Sequence, residues 1–193
     1  MAKKRAADII SYLLSPVNNA FYVIVIIALF LLDADKTSDF IIAFAVAFFF
    51  LCIMPVISIL IYTKKGVVDI WVSDQKARTP FYLIAILGYI IAVIIFYVID
   101  QHEFLVLTLA YLFVTMTISI SNLKTKMSSH TAGFTIPFTT AFYLFGLISL
   151  PLFLLLPVIM WARLKLNAHS INQLFGGALI GCILTYATYL YFY

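Results

Sequence analysis

Three short polar segments hold most of the groups in this chain that could do chemistry. They are Asp74-Gln75-Lys76-Ala77-Arg78-Thr79-Pro80, Lys126-Met127-Ser128-Ser129-His130, and Arg163-Leu164-Lys165-Leu166-Asn167-Ala168-His169 with Gln173 one turn later. The inventory is two imidazoles, several fixed cations and a hydroxyl, which suits a phosphoryl group. Guanidinium forks and ammonium groups bind phosphate oxygens. One imidazole can attack phosphorus while another protonates the leaving oxygen. Cys52 and Cys182 sit inside apolar runs, offer neither a disulfide framework nor a metal spacing, and read as small core residues.

The elements that must position these groups are apolar. The 193 residues are 65% hydrophobic and 10% charged, with a mean hydropathy of +1.12. A soluble domain carries roughly 25% charged residues, so lipid is the solvent this composition asks for. Continuous apolar runs without alternation choose helices over strands. They cover about 14–32, 40–62, 81–99, 104–121, 132–147, 150–164 and 170–192. The expectation is one all-α integral membrane domain over 1–193, a bundle of about seven transmembrane helices. The first run, led by Lys3, Lys4 and Arg5, reads as a retained span. A single helix over 132–161 would give six spans, but it would be about 45 Å long, and Gly146 and Pro151 bracket a natural break.

Seven spans place all three polar segments on the side of the N-terminus. Lys3, Lys4, Arg5, Lys64, Lys65, Lys76, Arg78, Lys124, Lys126, Arg163 and Lys165 then share that side, and Lys36 alone lies opposite. Asp33, Asp35, Asp39, Asp100 and Glu103 fall on the far side. The positive-inside rule makes the polar side cytoplasmic. With six spans, Arg163 and His169 would face away from Arg78 and His130.

The clusters resemble the signature of the phosphatidic acid phosphatase type 2 superfamily. Ala162-Arg163, five residues, His169, three residues, Gln173 is similar to its Ser-Arg…His…Asp element. Met127-Ser128-Ser129-His130 resembles its Pro-Ser-Gly-His. Lys76-Ala77-Arg78-Thr79-Pro80 resembles a shortened form of its Lys…Arg-Pro element, with Trp71 where the family has the lysine. The resemblance implies that His169 is a nucleophile forming a phosphohistidine and His130 the general acid. Arg163, Arg78, Lys76, Lys126 and Ser128 would hold phosphoryl oxygens. Gln173 would orient His169 where the family has a charged Asp. This chemistry calls for no metal and no cofactor.

The expected function is a membrane lipid-phosphate or polyprenyl-(di)phosphate phosphatase, whose partners are its lipid substrate and the surrounding lipids, not nucleic acid. The alternative is an inactive, phosphatase-like protein that binds or moves a phospholipid. A channel or carrier would call for acidic residues within spans, and borderline Asp8 aside, the acids fall in loops. Lys64, Lys65, Lys124 and Lys165 read as interfacial anchors, and His102 as a polar cap. Gly177 and Gly181 read as a close helix contact. Tyr186, Tyr189, Tyr191, Phe192 and Tyr193 read as a far-side aromatic belt.

Overall fold

The computed structural model describes residues 2–30 and 37–193. Asp33, Asp35 and Lys36, which the sequence assigns to a far-side loop, lie outside the described residues. Every regular element within them is helical: α1 (Ala2–Leu13), α2 (Pro16–Phe30), α3 (Thr37–Ala47), α4 (Met54–Lys64), α5 (Thr79–Val98), α6 (His102–Asn122), α7 (Ser129–Phe145), α8 (Leu155–Lys165) and α9 (Ile171–Phe192).

Apolar faces point both ways. On α5, Phe81, Ala85, Gly88, Ala92 and Phe96 are buried, while Leu83, Leu87, Ile94 and Val98 are exposed at helical spacing on the opposite side. An exposed stripe of this kind would be costly against water but not against lipid. By length and composition, five helical stretches could cross a membrane: Ile41–Lys64, Lys76–Val98, His102–Asn122, Ser129–Lys165 and Ile171–Phe192. The bent pair Lys3–Leu13 and Pro16–Phe30 would make a sixth.

Local chemistry sets the breaks. The 45° bend between α1 and α2 is tied by side chains. Asn18 Nδ2 donates to the Tyr12 carbonyl (2.7 Å), Asn19 Nδ2 to that of Leu14 (3.0 Å) and Tyr22 Oη to that of Leu13 (3.2 Å). Between α3 and α4, Phe48–Ile53 is a π-helix. Pro55 removes one N–H and its ring crowds the carbonyl four residues back, which favours the wider turn. α7 ends at Gly146, whose φ of 66° a residue with a Cβ rarely adopts. A 3-10 segment, Gly146–Leu154, then leads into α8. The sequence divides 129–165 into two apolar runs, and the chain does fold back within it. His130 at its start and Arg163 near its end both lie against the Trp71 ring, at 5.7 and 5.6 Å.

The main core joins α2, α3, α5, α6, α7 and α9 through Ile24, Ile27, Ala47, Phe96, Phe104, Leu107, Ile136 and Tyr189. A second cluster seats α1 on α8 and α9: Ile10 and Leu14 pack against Phe134, Leu156, Ile159, Met160 and Leu174. α7 and α9 make the closest contact. A Cβ at Gly177 would run into the Ser128 carbonyl and the Thr131 hydroxyl, and one at Gly181 into Thr135 and Ala132. The expected aromatic belt needs one correction. Tyr189 is fully buried and packs on Tyr143, 5.2 Å between ring centroids, so it belongs to the core.

Candidate functional site

His130 sits in the first turn of α7. Ser128 caps that helix, its hydroxyl accepting from the Thr131 N–H at 3.3 Å. His169 is placed by two caps in succession. After α8, the Ala168 N–H reaches the Arg163 carbonyl (3.0 Å) and the Asn167 N–H that of Leu164 (3.0 Å), with Asn167 at a φ of 53°. This is a Schellman turn, in which Asn tolerates the left-handed position. Ser170 then caps α9 in a capping box with Gln173. The five residues between Arg163 and His169 are thus the length of a helix exit. The three between His169 and Gln173 are the length of a helix entrance.

Gln173 holds the nucleophile candidate directly. Its Oε1 lies 3.3 Å from His169 Nδ1 and also accepts from the Ser170 N–H at 3.1 Å. An amide oxygen only accepts, so Nδ1 carries the hydrogen and Nε2 keeps its lone pair. The Gln173 carbonyl in turn accepts from the Ser128 N–H at 3.2 Å, which ties the start of α9 to the start of α7. His169 is 8% exposed. Burial, then the charges of Arg78, Arg163 and Lys126, push its pKa down to about 3, so the ring is neutral at ordinary pH.

The cations differ in placement. Arg78 is buried; its Nε donates to the Val72 carbonyl (2.9 Å) and its Nη1 to that of Met127 (3.3 Å). Arg163 is 3% exposed. Its Nη1 donates to Ser11 Oγ at 3.3 Å, its guanidinium lies over the Trp71 ring, and its Nε has no partner among the described residues. Among the described residues, no carboxylate makes an ion pair with either arginine. Lys126 Nζ donates to the Ala168 carbonyl at 3.1 Å, and burial followed by Arg78 and Arg163 lowers its pKa. Lys76 is exposed and lies in a separate surface groove with Asp74, Gln75, Thr79 and Asn122.

A cavity of about 650 Å³ joins these groups to the interior. Arg78, His130, His169, Trp71 and Ser129 line its polar part, and Leu51, Val56, Ile59, Phe81, Ala85, Val114, Ile118 and Ile136 its apolar part. His130 Nε2 is buried without a partner among the described residues. Of the residues the sequence singles out, Arg78, His130 and His169 reach the cavity wall. Arg163 stands behind Trp71, Gln173 behind His169, and Lys126 bridges to the α8–α9 turn. Lys76 is not brought to the cavity, and the Ser128 hydroxyl is engaged as a helix cap.

No family model, no curated protein and no solved structure matches this chain.

Sequence reasoning missed the residues that back the site. Trp71 touches both His130 and Arg163. It is presented by a turn in which the Asp69 carboxylate accepts from the Trp71 and Ser73 N–H groups (3.1 and 2.8 Å) and from the Ser73 hydroxyl (2.8 Å). Burial works to raise the Asp69 pKa, but these bonds outweigh it and the net shift is downward. Ser11, contributed by α1, is fully buried against Arg163. Its signal was the spacing Ala7, Ile10, Ser11, Leu14, one face of an amphipathic helix just before the first apolar run.

Proposed function

We propose that this chain is a membrane phosphatase for a lipid phosphate or polyprenyl (di)phosphate, a divergent relative of the phosphatidic acid phosphatase type 2 superfamily. One observation carries the reading: buried Arg78 and two imidazoles line the polar end of a single apolar cavity, buried Arg163 stands just behind Trp71 there, and neither arginine has a carboxylate partner among the described residues. Burying unpaired charge costs several kcal/mol or so per ion, so such a group calls for an anion. The starts of α7 and α9 are joined by the Ser128–Gln173 bond, Arg78 before α5 reaches Met127 beside them, and helix N-termini favour anions as well. The apolar walls suit the chain of an amphiphile.

In this reading His169 Nε2 attacks phosphorus as the bond to the leaving alkoxide breaks. The charge of the bound phosphate favours a protonated His130, which gives its Nε2 proton to that oxygen, and the alcohol departs. His130, now neutral, takes a proton from water, whose oxygen attacks the phosphohistidine and releases phosphate. Arg78 and Arg163 hold the phosphoryl oxygens as charge builds on them. The bundle would cross the membrane seven times, with 129–165 forming two crossings and the polar face cytoplasmic. A cysteine placed in the 33–39 segment should react with an impermeant reagent in intact cells; protection there reverses the orientation.

The direct test is phosphate release from phosphatidate, phosphatidylglycerol phosphate and polyprenyl diphosphate by purified protein, beside His169→Ala. Turnover of one substrate and its loss in the variant support the reading. Full activity in His169→Ala overturns the nucleophile. The second reading, a lipid-phosphate binder without turnover, draws on Gln173, which orients His169 but brings no negative charge to stabilise it. Binding without release in both proteins would favour it.

A further inference from the structure

We propose that Ser11 is a positioning residue of this anion site, and that α1 belongs to the binding machinery. The inference rests on the anion-site reading above. Ser11 lies 152 positions from Arg163, yet its hydroxyl receives the only hydrogen bond that Arg163's guanidinium donates among the described residues. One residue of α1 therefore sets the guanidinium of Arg163.

The Ser11 carbonyl is available because α1 stops where it does. The Ser15 N–H, its usual helical partner, bonds instead to the Tyr12 carbonyl at 3.1 Å. Side chains of α2 then take the Tyr12, Leu13 and Leu14 carbonyls. The Ser11 carbonyl is passed over by all of these donors. The seat of α1 is firm, with Ala7 and Ser11 fully buried.

The choice of a hydroxyl has a chemical meaning. A carboxylate at this position would pair with Arg163 and neutralise it. A serine orients the guanidinium and leaves its charge for an incoming anion. Asp8, one turn earlier, acts on Arg163 through space, but it is exposed and makes no ion pair with it.

The test uses the full chain in detergent with inorganic phosphate as the probe. There are two tryptophans, so Trp161→Phe leaves Trp71 as the sole reporter, beside both Arg163 and His130. Phosphate should change its emission with a measurable Kd. Ser11→Ala should weaken binding about tenfold, the scale of one hydrogen bond to a charged group, while Ser11→Thr, which keeps the hydroxyl, should restore it. In an Arg163→Lys background the Ser11→Ala step should have little further effect, because the two act as a unit. A merely structural role would give effects that multiply and no rescue by threonine. Unchanged binding in Ser11→Ala, or independent effects with Arg163→Lys, overturns the proposal alone. No response of the starting protein to phosphate overturns the anion site and this proposal with it.

Discussion

The two sides of the cavity are built on opposite plans. On one side α7 meets α9 across Gly177 and Gly181, with the Thr131 hydroxyl donating to the Leu174 carbonyl at 2.9 Å and the Ser128 N–H to that of Gln173. No room for a methyl group is left there. On the other side, the π-helix, α4, α5 and α6 line an apolar hollow with Leu51, Val56, Ala85 and Val114. Both imidazoles ride on the tight seam, at the start of α7 and just before α9. The difference separates two duties. The seam would hold its imidazoles in place as the proposed chemistry demands, while the open side offers volume.

Prying the seam apart should do the most damage. Gly177→Val drives a branched side chain into the Ser128 carbonyl and the Thr131 hydroxyl, both fixed by their own bonds. The expected loss is about 3 kcal/mol of stability, the upper range for overpacking, with loss of phosphate binding. Thermal unfolding in detergent measures the first and the Trp71 titration the second. A variant of near-normal stability would show that the seam is looser than described.

Filling the open side should be gentler and more selective. Ala85→Leu narrows the hollow. Stability should change by under about 1.5 kcal/mol, and kcat/KM for a long-chain lipid phosphate should fall about tenfold, while a short-chain phosphate monoester is unaffected. Equal losses for both substrates would mean that the hollow does not hold the chain.

The smallest effect should come from Gln173→Asp. A carboxylate near Nδ1 favours the charged ring, so the His169 pKa must rise from about 3. Turnover at neutral pH should be preserved or rise a few-fold, by about 1 kcal/mol, and the acid limb of the pH profile should move toward neutrality. Stability carries the same sign. In the parent protein His169 is depressed below its unfolded value, so the unfolded state binds the extra proton, and stability falls as pH drops from about 6.5 toward 3. The variant should lose less over that window. An unmoved acid limb would place the titration on another group.

Much of this division was legible in the residues. Apolar runs gave the helices, Gly177 and Gly181 gave the seam, and the spacing of Arg163, His169 and Gln173 gave a turn that could face one ligand. What stayed hidden depends on tertiary placement. Lys76 and Arg78 are two residues apart, yet one is exposed and the other buried, because the 3-10 turn Lys76–Arg78 points them in different directions. Ser128 looks like a phosphate ligand in a string of residues, and only the fold shows that its buried hydroxyl also accepts a backbone N–H as a helix cap. Ser11 carries no motif, and only the fold-back of 129–165 brings Arg163 to it. The break at Phe48–Ile53 follows from a proline whose effect falls on the turn before it.

The shared oxygen of Gln173 has one more consequence. It serves two donors, the Ser170 amide at the mouth of α9 and the His169 ring. In the mechanism proposed above, phosphorylation at Nε2 would make Nδ1–H a stronger donor and draw that oxygen toward the ring, at the expense of the amide. The first turn of α9 would then fray slightly for as long as the phosphohistidine lives. Deuterium uptake at Ser170 would thus keep time with the covalent state of its neighbour, making the end of a structural helix a clock for the reaction beside it.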